Sequence, residues 1–346
     1  VKAAFLVGPR LLVLRDVPDP TAPEDGLVLK VAVCGICGSD LRRWREGCAS
    51  DHPIIPGHEF AGVVESVGKN VRGYRVGDRL AMAPDIHCGK CYYCRRGLYN
   101  LCEKLQLIGI TPGYPGGMAE KFVITDEALA NGVVSSVPVG LPLEESVLAE
   151  PCSSVLACHQ TIGTNPSDVV VVMGGGPIGC LHIAVASSRG ARIILSEPSP
   201  ARRELAIPFS PSAIIDPIRE NLVARVHELT DGLGADIAIC ANPVAATQTQ
   251  AVELVRKRGR VVFFGGLSGN DPFTRLDANK IHYNEIQVIG SFSYHPVIHE
   301  QALQALARGQ IQLRSLISRI LALEQVSEAF ELASSGNALK VLVKMS

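Results

Sequence analysis

No charge of one sign dominates this sequence. Lys and Arg number 33 against 34 Asp and Glu, for a formal net charge of -1. The basic residues are not gathered into a long run, so the electrostatic footprint of a nucleic-acid binder is missing. Long apolar runs are missing too: no stretch approaches the roughly 18 uninterrupted apolar residues that span a bilayer. The opening "VKAAFLVGPRLLVLRDVPDP" has one short apolar burst, broken by Gly8, Pro9 and Arg10. It reads as strand and turn, without a signal-peptide core or cleavage site, and a cytoplasmic location is expected. There are no internal repeats and no low-complexity linker. What remains is a globular chain, 47% apolar over 346 residues, which is too long for one compact core and predicts two domains.

Eleven cysteines in a reducing compartment do not form a disulfide framework. Metal binding, or burial as small hydrophobes, is the expected use. "HCGKCYYCRRGLYNLC" (His87–Cys102) places Cys88, Cys91, Cys94 and Cys102 at the spacing C-x2-C-x2-C-x7-C. Tight C-x2-C turns bring thiolates within reach of one tetrahedral ion, and the longer spacer returns the fourth. An iron–sulfur cluster is the chemical rival, and four unrelated thiols the bland one. Four Cys ligands leave no open coordination position, so such a zinc staples a loop and activates nothing. Metal-dependent chemistry would need a second site.

Residues 1–150 read as β-rich, with runs such as "LVLKVAVCGIC" and "FAGVVESVG" bounded by Gly, Pro and Asp, and no long helical periodicity precedes Ser153. The texture then alternates. "DVVVVMGGGPIGCLHIAVASSRGARIILSEPS" gives buried strand, Gly-rich turn, helix and second strand, and "ADIAICANP" and "GRVVFFGG" supply later strands. Alternation of this kind predicts a parallel, doubly wound α/β sheet. After Glu285 the pattern turns mixed. The expected layout is a β-rich domain from both chain ends, 1–152 and 285–346, with a nucleotide-binding domain, 153–284, inserted between them.

Gly174, Gly176 and Gly179 form G-x-G-x-x-G after the strand Val169–Met173, with Pro177 and Ile178 completing the turn into a helix. The first Gly permits the tight turn, the second lets backbone approach a pyrophosphate, and the third allows close helix–strand packing. The helix N-terminus favours phosphate. Glu197 ends the next strand, about 20 residues on, where a carboxylate accepts from ribose hydroxyls and repels a 2′-phosphate. NAD is therefore expected over NADP, with Arg202 and Arg203 close behind keeping the choice open. The bland reading of Glu197 is a solvated strand-end charge.

"CGICGSD" (Cys34–Asp40) and "GHEFAGVV" (Gly57–Val64) bring Cys37, His58 and Glu59, types that bind a borderline metal, and "AEP" adds Glu150. With "GICGSD", "GHEFAG", the four-cysteine lobe, "AEP", "GGGPIG" and Glu197 in hand, the chain resembles the zinc-dependent medium-chain dehydrogenases nearly end to end, most closely the sorbitol and threonine dehydrogenase branch. The resemblance implies a chaperonin-10-like catalytic domain carrying a zinc lobe (about 85–105), joined to a Rossmann domain, with the active site in the cleft between them. It implies two zinc ions per chain: a catalytic one on Cys37, His58 and either Glu59 or Glu150, and a structural one on Cys88, Cys91, Cys94 and Cys102. It further implies a homodimer or homotetramer acting on a small alcohol or polyol. In such a site the metal polarises a hydroxyl, hydride leaves to the nicotinamide, and Ser39 begins proton release; a turn serine is its bland alternative.

Three departures qualify the match. Arg42 stands where many polyol dehydrogenases carry a relay histidine, and arginine cannot shuttle protons at neutral pH. Ser293 replaces an Arg expected beside Tyr294, the latter a candidate substrate contact. Pro208 and Pro211 should end a helix early. Arg42, Arg43 and Arg45 flank Trp44 just after the metal-ligand loop; Arg42 or Arg43 recognising an anionic substrate group is set against plain surface arginines. The expected activity is oxidation of a secondary alcohol to a ketone with NAD. The alternatives are a sugar-phosphate or L-threonine dehydrogenase, an NADP-dependent enzyme, or a cofactor-binding protein without catalysis.

Overall fold

A computed structural model describes residues 1–47 and 53–345; Cys48, one of the eleven cysteines, lies outside them. The chain divides into two compact units, one of residues 1–153 with 294–346 and one of residues 154–293.

The two-segment unit is built on a seven-stranded sheet. From one edge its order is Ile317–Ala322, Lys340–Lys344, Leu27–Gly35, Glu59–Val67, Arg79–Ala83 and Val133–Ser136, with Lys121–Ile124 also paired to Leu27–Gly35. Leu27–Gly35 is central because almost every residue in it can be buried. Leu27, Val28, Leu29, Val31, Val33 and Cys34 are at most 1% exposed, so apolar side chains cover both faces. Its register places Gly35 opposite Glu59 on one side and Leu342 on the other. That alignment brings the stretch leading to Cys37, the start of the "GHEF" strand and the final strand together at one end of the sheet. Trp44, Phe60, Phe122 and Phe330 fill the core around it.

Helices occur in this unit where the sequence pattern read as β-rich. Gly38–Glu46 is a nine-residue helix whose buried residues are Asp40 and Trp44, too few apolar positions to show a period. Another helix starts at Ala149, so "AEP" forms its first turn.

The inserted unit holds a six-stranded parallel sheet in the order Ala213–Ile215, Arg192–Ser196, Val169–Met173, Ala235–Cys240, Val255–Phe263, Gln287–Gly290. The strands are short β-branched runs, as a sheet covered on both faces requires. The winding reverses at Val169–Met173 between its two neighbours, the switch point where doubly wound sheets bind ligands. One boundary differs from the sequence reading. Gln287–Gly290 had been placed with the β-rich domain through the 284/285 division, but it pairs in parallel with Arg260–Phe263 and its unit runs to Ser293. A lone apolar strand carries no local mark of which sheet will accept it. The helix Pro200–Ala206 stops ahead of Pro208 and passes into one 3-10 turn, Ile207–Phe209.

Candidate metal centres and dinucleotide turn

Cys37 caps the helix Gly38–Glu46, and its N–H donates to Asp40 Oδ2 at 2.9 Å. Asp40 is buried. Its Oδ1 accepts from Gly57 N at 3.3 Å and lies 3.5 Å from His58 Nδ1. One carboxylate thus ties both metal-candidate loops together. The ligand atoms of Cys37, His58 and Glu59 all fall within 4.8 Å of one another, and Ser39 Oγ stands 3.5 Å from His58 Nε2. His58 is 3% exposed and its Nδ1 makes no hydrogen bond. Burial opposes a charge on His58, but the Asp40 and Cys37 beside it outweigh this and hold its pKa well above the ordinary value. Burial likewise opposes the Asp40 carboxylate, which His58 and the Cys37 and Gly57 N–H groups nevertheless keep below the usual range. A thiol, an imidazole and a carboxylate crowded in this way fit a borderline divalent ion such as zinc.

Glu59 is 0% exposed, and both its oxygens lie 2.8 Å from Lys340 Nζ, which also donates to Ile36 O at 3.2 Å. Lys340 is two residues from Leu342 on the same strand face, and Gly35 lies between that strand and Glu59. A Cβ on Gly35 would sit 2.2 Å from Glu59 Oε2, so the glycine leaves the gap that the ion pair crosses. Burial would drain charge from Lys340, but Glu59, Cys37 and Glu150 hold its pKa above the ordinary value.

Glu150 lies outside the three-residue group. Burial pushes its carboxyl up to about 8, against the pull of His58 and with Glu59 and Asp85 adding to the rise. Tyr294, a candidate substrate contact, is 3% exposed, and its hydroxyl donates to Glu150 Oε1 at 3.2 Å. A buried phenol needs a partner, and the carboxyl is at hand. Arg43 shows a similar diversion: its guanidinium is spent on the Ile110 carbonyl. Arg45 reaches Ser334, and Arg42 is exposed on the same helix. Asp40 and Lys340 were not singled out from sequence. The signal for Asp40 was its place three residues past the capping Cys37; Lys340 offered none.

In the lobe, the sulfurs of Cys88, Cys91, Cys94 and Cys102 also lie within 4.8 Å of one another. Backbone N–H groups point at them: Cys88 N and Lys104 N at Cys102 Sγ, each 3.3 Å, and Cys94 N at Cys91 Sγ, 3.5 Å. N–H donors from Cys94 and Glu103 bring Cys91 down to about 6, while burial and the adjoining thiols push Cys94 up to about 12. Four sulfurs packed this closely cannot all ionise without a cation among them, which is the donor set of a closed tetrahedral site.

The glycine turn has the form its spacing predicts. Gly174 has φ +114°. Gly176 caps the helix Pro177–Ser188, with Pro177 at its first position, where a missing N–H costs nothing. Ile178 follows in the first turn, and a Cβ on Gly179 would fall 1.8 Å from Gly174 O. Glu197 is 2% exposed, not a solvated strand-end charge. Its Oε2 accepts from Gly175 N at 2.6 Å and its Oε1 from Ser199 N at 2.8 Å. Arg202 donates its backbone N–H to Ser199 Oγ, and its Nη1 lies 4.0 Å from where a Gly176 Cβ would be. Arg203 turns away to the carbonyls of Glu197 and Pro198 and to Asp216.

Two candidate metal groups in one unit and a phosphate-type turn opening a parallel sheet in the other describe a metal-dependent nucleotide-linked oxidoreductase. Comparison with known proteins agrees. Residues 23–134 match the alcohol dehydrogenase GroES-like domain and residues 177–308 the zinc-binding dehydrogenase domain. The sorbitol dehydrogenase of Bacillus subtilis is 32% identical over 352 residues, 99% of this chain and 97% of that protein. The D-arabitol-phosphate dehydrogenase of Enterococcus avium is 32% identical over 334 residues, 95% of this chain and 92% of that one. Among solved structures, the alcohol dehydrogenase of Thermus sp. ATN1 superimposes with a TM-score of 0.91 at 29% identity, covering 100% of both chains. The chain belongs to the zinc-dependent medium-chain dehydrogenase/reductase family, and is an oxidoreductase of the zinc-binding alcohol dehydrogenase type. Among the described residues, no helix is long and apolar enough to cross a membrane.

Proposed function

We propose that the protein oxidises a secondary hydroxyl of a polyol to a ketone, with NAD as hydride acceptor and two zinc ions per chain. The observation that carries this reading is the convergence of Cys37, His58 and Glu59, with Ser39 Oγ 3.5 Å from the imidazole. A zinc ion held by Cys37 and His58 would supply Lewis acidity to ease loss of the substrate proton, while nicotinamide accepts the hydride. Asp40 orients the His58 ring, as a carboxylate behind a metal-binding histidine does. The Ser39 hydroxyl relays the substrate proton, accepting it as its own hydrogen passes to solvent water; Arg42, always charged, does not carry it. Lys340 neutralises Glu59 and leaves it as a reserve ligand, and Tyr294 fixes Glu150. Cys88, Cys91, Cys94 and Cys102 hold the second ion without touching substrate. Glu197, its oxygens already aimed by two N–H groups, accepts from the adenosine ribose hydroxyls and disfavours a 2′-phosphate.

The similarity to a sorbitol dehydrogenase supports a polyol substrate. The similarity to an arabitol-phosphate dehydrogenase, with an exposed Arg42 one helical turn from Ser39, supports a phosphorylated polyol as the second reading. A cytoplasmic location suits a lobe that needs reduced thiols. The strand Gln287–Gly290 ends the parallel sheet and offers its free edge to a second copy in a dimer. The test is metal analysis alongside nicotinamide absorbance with polyols, their phosphates and β-hydroxy amino acids, using NAD and NADP in parallel. Two zinc per chain and NAD-linked polyol oxidation are expected. One zinc per chain and no turnover on any alcohol would overturn the reading. A phosphate preference lost in Arg42→Gln would establish the second one.

A further inference from the structure

The four-cysteine lobe carries two half-buried rings that no metal-binding role requires. His87 directly precedes Cys88, and its ring lies 4.0 Å from that of Tyr99 at an interplanar angle of 37°. Tyr99 is itself anchored to the lobe, since its carbonyl accepts from Cys102 N at 3.0 Å. Tyr99 also meets His295, with centroids 4.9 Å apart at 46°. His295 directly follows Tyr294, the residue whose hydroxyl holds Glu150. Rings at these separations attract beyond their buried area.

We propose that His87, Tyr99 and His295 form a positioning device, through which the ordered four-cysteine lobe sets the place of Tyr294 and, through it, Glu150. The device rests on the reading of Glu150 as part of the active site. The lobe fixes Tyr99 by its Cys102 bond and fixes His87 by sequence adjacency to Cys88, while His87 N also donates to Asn131 O at 3.0 Å. The segment receiving the stack is also held by other contacts. His295 Nδ1 accepts from Val297 N at 3.2 Å, capping the helix Pro296–Ala307. Tyr294 stacks on His299 at 6.4 Å, and His299 Nδ1 pairs with Ser135 Oγ at 2.9 Å. Those contacts keep the segment folded, and the Tyr99 ring links it to the lobe. The structural zinc site thereby gains a part in chemistry that none of its ligands touches.

The test compares zinc-loaded wild type with Tyr99→Leu, which removes the ring, Tyr99→Phe, which keeps it, and His295→Asn, which keeps a capping acceptor and removes the ring from the other end. Metal analysis confirms that the lobe stays filled in each. Two readouts follow: amide hydrogen exchange of peptides covering residues 291–299, and kcat separated from the KM for NAD. Tyr99→Leu and His295→Asn should each speed exchange in that segment about tenfold and lower kcat about tenfold with KM for NAD unchanged. Tyr99→Phe should restore wild-type values in both readouts. Unchanged exchange in Tyr99→Leu, or equal behaviour of Tyr99→Leu and Tyr99→Phe, would overturn the proposal. If the wild type turns over no alcohol, the functional reading has failed while hydrogen exchange still decides the stack.

Discussion

The four-cysteine lobe draws its ligand atoms from 15 consecutive residues, Cys88 to Cys102, and aims its own backbone N–H groups at the sulfurs. The Cys37 group draws on the cap of one helix and the start of a strand, with a counter-charge from the last strand 281 residues away from Glu59. The lobe offers four sulfurs and no other donor type. The other group is mixed, with His58 and Glu59 buried and Cys37 partly so, and incompletely hydrogen-bonded, with a hydroxyl at its border. The difference teaches that a thiol's role follows from who supplies its neighbours. On the proposed reading, the site closed by local spacing holds a loop, whereas the one assembled from distant segments keeps a position for substrate.

The contrast can be broken most directly by exchanging losses between the two sites. Cys37→Ser should lower turnover on the order of 10⁴-fold while moving the thermal midpoint little, because Ser cannot replace a thiolate ligand. Cys94→Ser should do the reverse, costing on the order of 4 kcal/mol of stability and one zinc per chain, read by calorimetry and metal analysis. Should Cys37→Ser unfold the protein, or Cys94→Ser abolish turnover at full stability, the assignments would be interchanged.

Next in size is Lys340→Met. It strands the Glu59 carboxylate in the interior and should cost about 3 kcal/mol in metal-stripped protein, by denaturant melts. The loss should shrink when zinc is restored, because the ion takes over the counter-charge. An equal loss with and without zinc would show that Glu59 answers only to Lys340. In the inserted unit, Glu197→Gln should move the ratio of NAD to NADP efficiency by about tenfold or more toward NADP, measured as kcat/KM for each cofactor. No change would remove Glu197 from cofactor choice.

The smallest effect sets the background for all acid measurements. His159 and His299 are buried neutral, each with its pKa pushed down to about 3 by burial, and His182 is lowered well below its ordinary value for the same reason. Their folded pKa values lie below the unfolded one, so the unfolded chain binds more protons as pH falls. Stability should therefore decline from about pH 6.5 toward 3, by less than about 1 kcal/mol per histidine over the first unit below neutrality. His299→Gln should flatten that part of a stability-against-pH curve. A steeper fall than these three account for would belong to proton competition at the metal ligands.

Much of this is legible in the sequence, and the reason is locality. The lobe spacing, the glycine turn with Glu197, and the parallel-sheet alternation all act over tens of residues, so periodicity and motif length carry them. Lys340 was not readable, because "LKVLVKM" looks like any strand with polar ends until register sets it across Gly35 from Glu59. The pairing of Tyr294 with Glu150 was not readable either, because the two lie 144 residues apart. The short helix Gly38–Glu46 was hidden because its two buried residues, Asp40 and Trp44, give no apolar stripe. The strand Gln287–Gly290 was assigned to the wrong unit because strand pattern does not name a sheet.

The arrangement of the seven-stranded sheet also has a consequence for biosynthesis. A ribosome releases residues 154–293 as an uninterrupted block, so that half can acquire its native shape while the remainder is still being made. The partner half waits for Lys340–Lys344 to slot beside Leu27–Gly35, and until then Glu59 has no cation from the protein to face. The pairing of Glu59 therefore waits for a strand 281 residues further along the chain, and damage to that short strand would be felt at the Cys37 group, far from it in sequence.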